Sequence, residues 1–141
     1  MSPGEDISRA RLDPDSDERF LRLRNELGVS SFGLNQMVLQ PGQRGRIHRH
    51  SHQEEVYLVL EGELTVLIER EPHTVAVGEL LRVGPAPRRQ LVNAGTERVV
   101  LIALGGSGEH VGRDAEAFTD WESERGGQPQ EIPLPEDLPA S

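Results

Sequence analysis

From Asn35 onward the chain breaks into short apolar runs, each closed by turn-forming residues. Gln36 to Leu39 precedes Pro41-Gly42, Val56 to Leu60 precedes Glu61-Gly62, Leu64 to Ile68 precedes Glu71-Pro72, Thr74 to Val77 precedes Gly78, and Val99 to Leu104 precedes Gly105-Gly106. Runs this short suit strands rather than helices, and turns at this spacing fold each strand back beside its neighbour. The expected fold is all-β, an antiparallel sandwich or barrel. Alternation is clearest in Glu63-Leu64-Thr65-Val66-Leu67-Ile68-Glu69, a strand with one fairly wet face.

The flanks read differently. Asp15-Ser16-Asp17-Glu18 can cap a short helix reaching Leu27 and ended by Gly28, while Phe20 to Leu23 reads equally as an edge strand. Asp114 to Trp121 reads as a helical turn or loose cover that packs Phe118 and Trp121 on the barrel. Residues 1–17 and 122–141 are rich in Pro, Gly, Ser and acids, so they are expected to be disordered tails around a barrel spanning 18–121. A chain of 141 residues holds one such domain.

Composition removes several chemistries. A net charge of −9 argues against a nucleic-acid partner, which needs clustered positive charge. Every basic residue is arginine, so no lysine is present for a Schiff base, and the absence of cysteine removes thiolates and disulfides. No apolar run approaches bilayer length, and Met1-Ser2-Pro3-Gly4-Glu5-Asp6 lacks the pattern of a secretion signal. A soluble, cytoplasmic protein without a membrane partner is expected.

What remains is histidine, carboxylates and a metal. In Ile47-His48-Arg49-His50 the imidazoles are two residues apart, so a strand places both on one face and Arg49 on the other. Glu55 has the wrong parity for one unbroken strand, but the polar stretch Ser51-His52-Gln53-Glu54 can turn or bulge and reset it. Two neutral imidazoles and a carboxylate suit a divalent Fe, Mn, Ni, Cu or Zn ion with open positions for water or substrate. The plainer alternative is a hydrogen-bonded polar cluster at a strand end. Tyr57 and Val59 share the parity of Glu55 and should line the same pocket, with Val56, Leu58 and Leu60 facing outward. For Tyr57, core packing competes with ligand contact. His52 reads as a surface residue of the turn, and His73 and His110 as loop residues.

Gly42, His48, His50, Glu55 and Gly62 stand in the order G-x5-H-x-H-x4-E-x6-G, which resembles the first motif of the cupin superfamily. Gly78 and Asn93 match the second, G-x5-P-x-G-x2-H-x3-N; Gly84, Ala86 and Arg89 replace its proline, glycine and ligand histidine. The resemblance covers about Leu39 to Leu104. It implies a double-stranded β-helix of two antiparallel sheets with the site inside, to which the flanks add short helical segments; the outward-facing Val56, Leu58 and Leu60 point to a homodimer, a pairing also common in that superfamily. It also implies a scaffold shared by dioxygenases, decarboxylases and isomerases rather than one reaction.

Arg89 cannot ligate a metal, because its guanidinium stays protonated. Its parity with Leu91 and Asn93 aims it inward, where it needs Glu55 or an anionic ligand as partner. The anionic ligand is favoured, since the first motif is intact. A one-residue slip would instead turn the amide of Gln90 inward as a weak ligand. Two functions follow: a metal-dependent enzyme acting on a small, anionic molecule, or a metal-free barrel that binds or senses one. Arg89, Tyr57 and Gln90 are the candidate ligand contacts.

Overall fold

The computed structural model describes residues 6–106 and 114–139. Among these residues, ten strands form two antiparallel sheets of five. They are β1 (Phe20–Arg22), β2 (Gly33–Leu39), β3 (Ile47–His50), β4 (Glu54–Glu61), β5 (Leu64–Ile68), β6 (Glu71–Val75), β7 (Leu80–Val83), β8 (Arg89–Val92), β9 (Val99–Gly106) and β10 (Ala115–Phe118). One sheet runs β1-β2-β9-β4-β7 and the other β10-β3-β8-β5-β6. The core takes Leu39, Tyr57, Val59, Leu101 and Ala103 from the first and Leu64, Val66 and Leu91 from the second, so the inner faces pack on each other. Every second residue of β4 points inward, as its sequence alternation requires: Tyr57 and Val59 are buried, whereas Leu60 is exposed. No helix among the described residues is long and apolar enough to cross a membrane.

Several local expectations are corrected. Both readings of the segment before Gly28 are realised in succession: β1 is an edge strand, and a short helix α1 (Leu23–Leu27) follows it and stops at Gly28 with φ +72°. The Asp15-to-Glu18 stretch does not cap that helix; the Ser16 hydroxyl accepts the Glu18 amide (3.1 Å) in a turn of its own. Residues Ala115–Phe118 are a strand and not a helical turn. They pair with β3, Ala115 opposite His50 and Phe118 opposite Ile47, and so cover what would be an open edge. A 3-10 turn, Pro129–Glu131, lies beyond that stretch, in the segment read as a tail.

The β5–β6 turn also falls earlier than Glu71-Pro72. Glu69 and Arg70 both have positive φ (47° and 72°), as a two-residue hairpin of matching twist demands. Pro72 then lies opposite Leu67 in β6, at the sheet edge, where a missing N–H is tolerated.

The flanking segments lie against the barrel. Asp13 exchanges two hydrogen bonds with the buried Gln36 amide (2.6 and 2.8 Å). At the other end Arg46 donates to the Ile132 carbonyl (2.7 Å), and the Leu138 amide donates to that of Gly42 (2.8 Å).

Two glycines of the motifs separate strain from crowding. Gly62 and Gly78 both have positive φ, but a Cβ on Gly62 would overlap the Arg98 carbonyl, whereas Gly78 has nothing within 4 Å of that position. Gly78→Ala should therefore cost only the left-handed strain, about 1–2 kcal/mol, and Gly62→Ala clearly more. Urea titration of both variants checks the order, and equal losses would refute the assigned turn geometry.

Candidate functional site

The pleat of β3 turns His48 and His50 toward the opposite sheet, while Arg49 points outward and pairs with Glu116 (2.8 Å). The turn at Ser51 to Gln53 then resets the parity, and Glu55, the second residue of β4, faces back at both rings. Its Oε1 lies 3.1 Å from His48 Nε2 and its Oε2 lies 3.3 Å from His50 Nε2. One donor atom from each of the three residues can be chosen so that all lie within 4.8 Å of one another.

Two further inward side chains complete the cluster. The Tyr57 hydroxyl donates to Glu55 Oε1 (2.5 Å). Arg89 stands opposite His48 in the β3–β8 register and is fully buried. Its terminal nitrogens donate to the Gly84 carbonyl and, at 3.4 Å, to that of Pro85, while its Nε lies 3.8 Å from Glu55 Oε1 without a hydrogen-bond partner among the described residues. Burial by itself would raise the Glu55 pKa, but the His48 and His50 imidazoles hold it well below the usual carboxylate range. Burial and then the Glu55 charge push the Tyr57 phenol up, against the pull of Arg89, so it remains a donor.

Proton geometry tests whether a metal suits this donor set. His48 Nδ1 lies 3.2 Å from the Arg46 carbonyl, which can only accept, so Nδ1 carries the proton. Nε2 then faces Glu55 Oε1 either as the second N–H of a charged ring or as the lone pair of a neutral one. A neutral ring and the carboxylate at 3.1 Å would need a cation between them. Among the described residues neither ring nitrogen of His50, both shielded from solvent, has a hydrogen-bond partner. His48, His50 and Glu55 could hold a metal ion.

Gln90 is not brought to the cluster. Its amide donates to the Gly45 carbonyl (3.0 Å), and the residue lines a groove of about 380 Å³ on the outer face with Ile47, Phe118 and Trp121. The slip that would turn it inward does not occur, because β8 keeps its register against both β3 and β5. His52 is at the surface as expected, His73 lies in the exposed edge strand β6, and His110 falls outside the described residues. Sequence reasoning missed Asp114. Its buried carboxylate accepts the amides of His52 and Gln53 (both 2.9 Å) and contacts the His52 ring (3.0 Å). Burial opposes its ionisation, yet those amides, then the His52 ring and His50, bring its pKa down to about 2. Its only sequence signal was an acid at the head of a β-compatible stretch. A polar groove of about 720 Å³ opens beside His50, lined also by Arg49, Ser51, Asp114 and Gln128.

Residues 35–105 match the family profile described as Cupin domain. Among curated proteins none matches this chain. Of solved structures, a cupin protein from Bacteroides fragilis is similar at 18% identity with a TM-score of 0.65, covering 79% of this chain and 90% of its own. A sugar phosphate isomerase from a cupin superfamily, from Silicibacter pomeroyi, is similar at 23% identity with a TM-score of 0.62, covering 81% and 76%. A protein from Acidithiobacillus ferrooxidans is similar at 24% identity with a TM-score of 0.58 over 65% of this chain, which spans 58% of that longer one. Likeness at these identities shows the fold.

Tyr57→Phe isolates the hydrogen bond to Glu55 without changing the packing of the ring. A bond to a charged group contributes about 1.5–3 kcal/mol, and the variant should lose about that much in urea titration. An unchanged midpoint would mean that the hydroxyl does not bind Glu55 in solution.

Proposed function

The chain belongs to the cupin family, and from that premise we propose that it holds a divalent transition metal on His48, His50 and Glu55 and binds a small anionic molecule beside it. The observation that carries this reading is the convergence of His48, His50 and Glu55, one donor atom from each lying within 4.8 Å of the others. The metal, whether Fe, Mn, Ni, Zn or Cu, would supply a Lewis acid at the open positions of a three-ligand site. The chain's own part is to hold that ion and to fix charge around it. Arg89 places a permanent cation beside Glu55, and its Nε–H is a buried donor available to a ligand oxygen.

A carboxylate or phosphate answers that donor, and the net charge of −9 disfavours nucleic acid in its place. A sugar phosphate, as in the name of the Silicibacter pomeroyi protein, would carry such a group, and an isomerase-type reaction is the enzymatic form of this reading. The second reading is a metal-free ligand-binding barrel. It is favoured by the Arg89–Glu55 contact, which partly neutralises the carboxylate from within.

Elemental analysis of protein purified without chelator separates the two. His48→Ala should weaken metal binding by more than the roughly 10–100-fold known for outer-shell partners. Arg89→His should strengthen metal binding and weaken a small phosphate or carboxylate, both read by calorimetry. Unchanged binding of metal and anion in Arg89→His would defeat the role given to Arg89.

We also propose that the outer face of the first sheet pairs with a second copy. Leu60 and Leu80 stand 39% and 64% exposed there, an apolar patch that a monomer leaves wet. Light scattering should give a dimer mass, and a monomer mass across a wide concentration range would refute it.

A further inference from the structure

Each imidazole of the cluster turns Nε2 toward Glu55 and therefore has its Nδ1 on the far side. For His48 the group behind Nδ1 is the Arg46 carbonyl of the same chain segment. For His50 it is Asp114, whose Oδ2 lies 3.5 Å from Nδ1. That distance is longer than a formed hydrogen bond and within a small ring rotation of one. Asp114 comes from the head of β10, 64 positions further along the chain, and it is placed by the β3–β10 pairing. Ala115 stands opposite His50, and the Ser51 amide donates to the Asp114 carbonyl (3.2 Å).

We infer that Asp114 is the positioning residue for His50: it holds the proton on Nδ1 and so presents Nε2, unprotonated, to the ion. The inference rests on the metal-binding reading of the cluster. Its basis is geometric. The Asp114 side chain is 2% exposed, and as a carboxylate it can only accept. A ring nitrogen facing it at 3.5 Å is stable as N–H and repelled as a lone pair. The carboxylate cannot turn away, because the amides of His52 and Gln53 and the His52 ring fix both of its oxygens. Those amides belong to the turn that resets the parity of β4. One side chain thus aims His50 and ties down the turn that brings Glu55 round to meet it. Partners behind a ligand imidazole orient the ring and raise its basicity, and losing one typically lowers metal affinity 10–100-fold.

The test begins with wild-type, metal-free protein: ¹⁵N shifts of the imidazole nitrogens should show His50 protonated at Nδ1. In Asp114→Asn the proton should leave Nδ1, and Zn²⁺ affinity by calorimetry should fall roughly 10–100-fold with the circular dichroism of the fold retained. A wild-type spectrum with Nδ1 unprotonated would overturn the inference, and that measurement needs no variant. A variant that loses stability while His50 keeps its Nδ1 proton and its Zn²⁺ affinity would also overturn it, since the carboxylate would then only cap the turn. Wild-type protein that binds no metal, yet shows the Nδ1 proton and loses it in Asp114→Asn, would defeat the metal reading and leave the positioning role supported.

Discussion

A carboxylate turned into a small β-barrel must be matched by hydrogen bonds and opposite charge, because an ionised group buried alone costs several kcal/mol or more. Glu55 is matched from three strands at once. His48 and His50 come from β3, Tyr57 from β4 itself, and Arg89 from β8. The match holds only if β3 and β8 keep the register that sets His48 opposite Arg89, and if the turn before β4 rotates Glu55 to the inner face. The register and the turn are both conditions of burying one charge.

The departures from the second cupin motif are best read as one change rather than three. Arg89 takes the place of the ligand histidine, and the carbonyls that receive its terminal nitrogens are those of Gly84 and Pro85. Those residues lie where the motif's proline and glycine have been replaced or shifted. The Pro85 carbonyl also receives the His50 amide (3.0 Å), so the loop that anchors the guanidinium is fastened to the strand that carries the imidazoles. A guanidinium has five donors and needs acceptors at fixed angles. The loop at 84–86 supplies two of them, which spends the terminal nitrogens on the backbone and leaves Nε facing Glu55.

The inner face of the barrel was legible in the sequence because a strand's two-residue period is simple. His48 with His50, and Glu55 with Tyr57 and Val59, follow from parity once the turn at Ser51 to Gln53 is allowed for. The β5 strand was legible to the residue, being bounded by acids and alternating throughout. Less legible were β7 and β8, where arginines interrupt the apolar run, and β10, whose Ala-Glu-Ala-Phe becomes a strand only because β3 offers an edge. Asp114 escaped for the same reason. Its contact with His50 depends on a pairing between distant segments, and no local pattern encodes that. Arg89 was read as facing inward toward Glu55 or an anion; that its fork would close on its own loop depends on where two carbonyls point, which composition does not reveal.

The charge balance of the site ties its two proposed ligands together. With both imidazoles neutral, Glu55 and Arg89 cancel, and an anion entering the site would gain little beyond one Nε–H donor while losing its hydration. On the proposed reading, a divalent ion on His48, His50 and Glu55 would change that sum to two positive charges in a partly desolvated space, where attraction is far stronger than in water. An anion would then meet the ion and a fixed cation together. Because coupling of this kind is reciprocal, the anion would tighten the metal by the same factor that the metal tightens the anion. Arg89 is the residue through which this linkage would run: an imidazole in its place would add a ligand for the ion, whereas a guanidinium adds only positive charge.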